Sequence, residues 1–442
     1  MGKSSSSAVV RLFSVAGALF AVSTLFLTIF CASRAEAIPA FSRTYKTECT
    51  TCHTVFPQLN EFGQAFEKNG FVWPNAVPLS KKVKSAQTEE ERKSAEYIML
   101  SGIPPVVPLS VSLNASILYN DKAEDNVDWK RYSAELFGAG AFGGDKIGFW
   151  FNESLGSQSG GPEAPSQLWF VARDPFGIPV HLKAGKLSPD LSLWKTTLNG
   201  RMLSQSMSVD GFSMTAAQSG IELSEILGSR VQVVLGMNDR NNNTAKNGPS
   251  TVNAKGEVVA GKAAEPNSVN DFYGRVGVKF GGTDYHGKEP EIDLDKDSVW
   301  DYLSVSASAF YYNGSTSKGD GVEHDLTRFG LEGEVAYQKA LLMFGATFGE
   351  NNAESDDPLK STALSAEVDY VFTSQYAVAL RYDTLDVDGK DKRNLITPGI
   401  IYAPLQNFKL RLSAAIDSNP TNAAPGKAAS NTTATLTATM SF

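Results

Sequence analysis

The chain has 442 residues and a formal charge of −8, enough for one large domain with a small one attached. Its first 37 residues carry Lys3, Arg11 and Arg34 against Glu36, so removing them leaves 37 basic and 47 acidic side chains, a net −10. Such an acidic chain repels phosphates, which excludes nucleic acid as a partner and suits cations or basic protein surfaces.

Residues 1–37 read as a secretory signal peptide. Lys3 and Arg11 precede an apolar run from Leu12 to Phe30, and Ala35-Glu36-Ala37 fits a small-x-small cleavage site. The competing reading is an uncleaved anchor, because that run is nearly long enough to span a bilayer. Bulky Phe30 before Cys31 argues against a lipoprotein site. Two cysteines then remain, Cys49 and Cys52, which is not the pattern of a disulfide-stapled exported domain. Beyond the signal no apolar run is long enough for a membrane helix. A membrane-spanning form of this chain therefore requires a closed barrel, in which every backbone polar group finds a partner.

Residues 38–107 contain the strongest motif, Cys49-Thr50-Thr51-Cys52-His53. Two thiols at this spacing can add to the vinyl groups of a haem, with the adjoining His53 beneath the iron. A zinc site needs two further ligands, and no other Cys or His lies between Ile38 and Leu118. A redox dithiol needs a βαβ setting, which is missing. Covalent haem c is the reading that remains. Phe56, Leu59, Phe62 and Phe66 recur at helical spacing and predict an apolar face against the haem. Gly63 on that side would let the backbone approach the ring, and Gly70 would end the helix. A second helix is expected from Thr88, a capping-box pattern with Glu91, through Met99 to Gly102. Met99 is the candidate sixth ligand, a thioether opposite His53; the alternatives are a gap-filling core role, His181, His286 or an open position. A segment of about 65 residues is marginal alone, so the covalent haem would supply much of its core.

From residue 108 the period changes to two. Leu109, Val111, Leu113, Ala115, Ile117 and Tyr119 alternate with Ser110, Ser112, Asn114 and Ser116, and the chain ends in the same way from Thr433 to Phe442. Short links at Gly143–Lys146, Asp174–Pro179, Gly228–Arg230, Gln338–Ala340, Thr373–Gln375 and Pro404–Asn407 alternate with long polar ones. That rhythm predicts a transmembrane antiparallel barrel of about 16 strands over residues 108–442, apolar outside and polar inside. Terminal Phe442 resembles the assembly signal of such barrels. The link from Gly281 to Val299 is long where a short one is expected. It carries Glu289, Glu291, Asp293, Asp295 and Asp297, either a solvated charge run or a docking patch for a basic cytochrome. Neither this run nor the one around Asp386 and Asp388 completes an EF-hand. Acid-rich loops such as Asp121–Asp128 are solubilising, or raise the local concentration of a cation such as Fe(II).

Ile38-Pro39-Ala40-Phe41-Ser42-Arg43, the haem motif, Thr54-Val55-Phe56-Pro57, Phe62-Gly63 and Asn69-Gly70 together resemble a known family. It is that of the fused outer-membrane monohaem cytochrome–porins of iron-oxidising bacteria. The likeness is dense over residues 38–71 and architectural beyond them. The resemblance implies one haem c held by Cys49 and Cys52 and ligated by His53. It implies electrons accepted from extracellular Fe(II) and passed to a periplasmic c-type cytochrome, in a barrel set in outer-membrane lipid. The hydrocarbon band is about 25 Å tall, so a haem serves a relay best inside the lumen. An even strand number puts both barrel ends in the periplasm, and the expectation is a cytochrome entering from that side as a plug. The competing functions are a diffusion porin with an appended haem domain and a haem peroxidase, which would want an open distal site.

Overall fold

In the computed structural model the described residues are 40–45, 47, 49–54, 58–73, 88–89, 108–121, 127–142, 146–157, 167–193, 202–203, 206–210, 212, 217–239, 251–252, 258–259, 271–288, 302–317, 323–353, 359–418 and 431–441. The signal segment, Met99, the acidic run Glu289–Asp297 and Phe442 lie outside them. So does the helix expected from Thr88, apart from Thr88 and Glu89.

The first strands are β1 (Leu109–Asn120), β2 (Val127–Phe142), β3 (Ile147–Ser157), β4 (Gln167–Arg173), β5 (His181–Leu187), β6 (Gln218–Leu227) and β7 (Val231–Asp239). A small hairpin, β8 (Thr251–Val252) and β9 (Val258–Val259), stands apart. Then come β10 (Asp271–Gly281), β11 (Ser304–Ser317), β12 (Glu323–Tyr337), β13 (Ala340–Ala353) and β14 (Leu359–Thr373). The last four are β15 (Tyr376–Val387), β16 (Arg393–Leu405), β17 (Phe408–Asp417) and β18 (Asn431–Ser441). All except β8 and β9 form one closed antiparallel barrel of 16 strands, sealed by pairing of β1 with β18. The expected short links are the turns at one end, and the start of β1 and the end of β18 meet at that same end. The tightest use left-handed backbone: Gly228 and Ser229, with φ +53° and +60°, make the turn whose twist matches the flanking strands.

Burial inverts the rule for water-soluble proteins. Along β14 and β15 the outward side chains are apolar and exposed, for example Leu380 at 54%, while inward Asp383 and Glu367 are buried. Exposed aromatics collect near the turn end, where Tyr376 stacks on Tyr402 at 4.8 Å and Tyr370 meets Phe372 at 4.9 Å. An apolar belt with aromatic rims around a polar interior is the pattern of a wall facing lipid. Among the described residues no helix is long and apolar enough to cross a membrane.

Two further stretches pack against the inner wall. One is the N-terminal segment, with helix α1 (Ala40–Tyr45), a 3-10 turn at Cys49–Thr51 and helix α2 (Glu61–Lys68). The other is the link between β5 and β6, which carries the short helix α3 (Met207–Asp210). The sequence rhythm did not single out that link, because its polar and apolar residues follow neither strand nor helix period.

Candidate functional site

The Cys49–His53 motif folds as a tight turn: the N–H groups of Cys52 and His53 both donate to the Cys49 carbonyl, at 3.1 and 2.9 Å. Asn60 fastens this turn to α2. Its Oδ1 caps the helix by accepting from Gly63 N–H at 2.9 Å, and its Nδ2 donates to the Thr51 carbonyl at 3.0 Å. Its own N–H donates to the Cys52 carbonyl at 2.9 Å. The two pieces touch so closely that a Cβ at Gly63 would lie 2.1 Å from the Cys52 oxygen. Gly63 is therefore spent on approach to the motif's own backbone, which differs from the expected approach to a porphyrin. Gly70, at φ +67°, ends the helix as expected, with the Phe71 N–H returning to the Phe66 carbonyl. Leu59, expected on the helix, precedes it and forms a bridge with His53, while Phe56 is outside the described residues.

Around α2 lies an aromatic cluster. Phe41 meets Phe66 edge-on at 4.9 Å, Tyr45 stacks on Trp73 at 4.9 Å, and Phe62 meets Trp73 at 4.9 Å. Phe71 carries the cluster to the wall, stacking against Trp150 of β3 and Trp169 of β4, each at 5.8 Å. On this side the backbone approaches closely as well: a Cβ at Gly148 would lie 2.4 Å from the Gly70 oxygen.

Polar contacts hold the rest of the segment to the interior. Cys49 N–H donates to Gln406 Oε1 at 3.1 Å, at the β16–β17 turn. Gln58 donates to Asp369 of β14 at 3.1 Å. Glu61 accepts from the Thr283 N–H at 2.9 Å, and its other oxygen lies 3.1 Å from Lys279 Nζ, an ion pair without hydrogen-bond alignment. Lys68 reaches Asp190 at 3.3 Å, and Asn69 donates to the Tyr285 carbonyl at 2.8 Å. These partners come from β3, β4, β10, β14 and the β16–β17 turn, so the segment crosses the lumen at the turn end.

The β5–β6 link meets it from the other side. Asp190 also pairs with Arg275 of β10 at 3.0 Å, and Glu332 of β12 accepts from Ser192 and from Leu193 N–H at 2.7 and 2.6 Å. The Met207 N–H donates to Asp383 at 3.0 Å, and Met202 and Leu203 pack on an apolar patch of Val371, Ala377, Ala379, Ile401 and Ala403. Burial alone would raise the Asp190 carboxyl, but Arg275, Lys68 and Lys183 outweigh it and hold it below the usual carboxylate range. Between α2 and this link is a cavity of about 160 Å³ lined by Gln64, Glu67, Lys68, Lys183, Glu222 and Trp169 among others.

Cys49, Cys52 and His53 thus share one turn at the barrel's inner wall. The two thiols are not joined in a disulfide. Burial and then neighbouring Cys49 push a free Cys52 thiol up to about 12, opposite to the lowered value of a redox dithiol. Two thiols and an imidazole on one turn, tied to an aromatic cluster, have the donor chemistry that covalent haem requires. His181 and His286 lie near Arg173 at the β4–β5 wall. Among the described residues no group of three or more His, Cys, Asp or Glu is arranged to hold a metal ion. The residues that position the motif, Asn60, Gln406, Glu61 and Lys279, were not singled out in the sequence. The Asn60-x-x-Gly63 cap was the available local signal.

No family model and no curated protein matches the chain. Solved structures do match. An anion-selective porin from Comamonas acidovorans is 16% identical, with TM-score 0.54 over 76% of this chain and 99% of that one. The outer membrane channel DcaP of Acinetobacter baumannii is 13% identical, with TM-score 0.48 over 76% and 97%. The barrel has a porin fold.

Proposed function

We propose that this chain is an outer-membrane electron conduit: a porin-type barrel carrying in its lumen a c-type haem, which Cys49 and Cys52 would hold covalently and His53 would ligate. The turn end with its short links faces the periplasm, and the long acidic loops face outward. One observation carries the reading. The Cys-x-x-Cys-His turn is anchored to the barrel itself through Gln406, and its helix through Glu61 and Lys279. A periplasmic appendage would need no such contacts.

When bound, the haem supplies one-electron chemistry through the ferric and ferrous states of its iron. The chain's own residues do the rest. Asn60 holds both the motif turn and the start of α2, which fixes His53 relative to the helix. The aromatic cluster keeps water from that side, and a low-dielectric surround makes each nearby charge count for more. The acidic outer loops concentrate Fe(II) at the mouth, and a basic periplasmic cytochrome is the electron acceptor. Met99 remains the proposed sixth ligand.

Rapid mixing of purified protein with Fe(II), followed at the haem bands, tests this directly. Reduction of the haem is expected. Absence of covalent haem on the denatured chain would overturn the assignment, and a midpoint below that of the Fe(III)/Fe(II) couple would reverse the direction of flow. The second reading is a diffusion porin, favoured by the porin fold and the polar cavity beside α2. Large ion conductance of haem-loaded protein in planar bilayers would decide for it.

A further inference from the structure

Lys409 and Arg411 stand out among the lumen's charges. Most of the others are neutralised: Arg275 by Asp190, Lys279 by Glu61, Arg381 by Glu367 and Asp383. Both Lys409 and Arg411 alternate with the outward, exposed Leu412 along β17, so both point inward. Lys409 is 3% exposed, and among the described residues no hydrogen bond or ion pair reaches its ammonium group. The charge acting on it is that of Arg411, a second cation. Arg411 makes one contact, a 3.4 Å bond to the Met202 carbonyl, and its Nε is buried without a partner. The flanking strands offer no remedy, because Arg411 lies in register with Ile401 on one side and Thr437 on the other, and Lys409 with Thr439.

A buried cation without a counter-charge, with a second, half-buried cation beside it, is costly. The pair makes sense where an anion completes it. The site lies beside the haem motif: Gln406, which accepts from Cys49 N–H, is in the turn that leads into β17, three residues before Lys409. A flat apolar group fastened at Cys49 and carrying carboxylates on its far edge matches that arrangement.

We infer that Lys409 and Arg411 are the cationic partners of the two propionate carboxylates of the haem, an assignment that rests on the haem reading above. Paired in this way, the cations cancel propionate charge that otherwise favours the ferric state, so they raise the midpoint potential. They are positioning and tuning residues, not ligands. The same carboxylate-binding chemistry would also serve a free anion passing through the barrel, and the experiment separates the two.

Full-length protein is made with Lys409→Gln, Arg411→Gln and Lys409→Arg, and covalent haem is measured first on the denatured chains. Midpoint potentials are then titrated against pH. With Lys409→Gln the ferrous-to-ferric ratio at fixed applied potential is expected to fall about tenfold, equivalent to about 59 mV for one electron. The potential should also acquire a fall with rising pH as an unpaired propionate ionises. Lys409→Arg should restore both. Unchanged potential and pH dependence in both Gln variants, with haem attached, would overturn the assignment. The same result with altered anion selectivity would give the pair to a diffusible anion. Wild-type chains without covalent haem would instead overturn the haem reading itself. If either Gln variant fails to assemble, the other and the Lys409→Arg protein still report the potential.

Discussion

Glu61 offers the sharpest test of how the N-terminal segment is held. Its carboxylate is buried between Lys279 Nζ at 3.1 Å and the Thr283 N–H at 2.9 Å. Glu61→Ala removes the charge and leaves Lys279, itself buried, with only the ring face of Tyr285 at 5.9 Å. That cation–π contact is present in the parent too, so the loss is that of orphaning one member of a buried ion pair, about 3–5 kcal/mol. It changes the ratio of seated to released segment by about 140- to 3,700-fold. Single-channel recording in planar bilayers should therefore show open events in Glu61→Ala that are rare in the parent. Adding Lys279→Met removes the orphaned cation and should return open time most of the way, since an uncharged pair of similar volume is close to neutral. Equal open times in parent and Glu61→Ala would refute the reasoning, as would a double variant no better than the single one.

Two further outcomes follow from the same contacts. Gly63→Ala should improve α2 by about 1 kcal/mol on helix propensity alone, yet its Cβ would stand 2.1 Å from the Cys52 carbonyl oxygen. Backbone cannot yield as a side-chain tip does, so haem attached per chain should drop; an attachment yield equal to the parent's would show that the motif is not held against α2. Acid should loosen the clasp between α2 and the β5–β6 link, because the Asp190 carboxyl is held below its ordinary value by Arg275, Lys68 and Lys183 against the opposing effect of burial. A depressed carboxylate contributes its stability above the unfolded pKa of about 3.9 and loses it as pH falls through the lower folded value. Channel opening on acidification below about pH 4 is expected, and Asp190→Asn should flatten that limb; an acid limb unchanged in Asp190→Asn would rule out this clasp.

Where the lumen is wet and the outside is apolar, the sequence announces it. Ser110, Ser112, Asn114 and Ser116 alternate with Leu109, Val111, Leu113 and Ala115, and those two sets face inward and outward. The strand number and every short turn could be read from such runs. The pattern fails where something packs against the inner wall. In β4, Trp169 and Val171 point inward and are buried, so Leu168 to Ala172 reads as one apolar run. Sequence alone cannot say that the second face of that strand is covered by Phe71. The β5–β6 link was illegible for the same reason. Asp190, Ser192 and Met207 have meaning only through Arg275, Glu332 and Asp383, residues 85, 140 and 176 positions away. The Cys49–His53 motif stands out because its spacing is local, whereas the residues that anchor it, from Asn60 to Gln406, do not.

A polar segment inside a polar lumen raises the question of what energy seats it. Ion pairs such as Lys68–Asp190 and Lys279–Glu61 largely repay their own desolvation and add little net stability. Adhesion must come from the apolar contacts. Phe71 stacks on two tryptophans, and each aromatic pair contributes about 0.5–1.5 kcal/mol beyond its buried area. The charges act differently. Sliding the segment by one turn of helix, about 5.4 Å, would strand Lys68, Glu61 and Lys279 together, each at the cost of an unpaired buried ion. Aromatic contact at β3 and β4 thus holds the segment in, while the ion pairs at β10 and the β5–β6 link fix its register. That register sets where the Cys49–His53 turn meets the β16–β17 wall, and therefore which lumen charges a group bound there would feel.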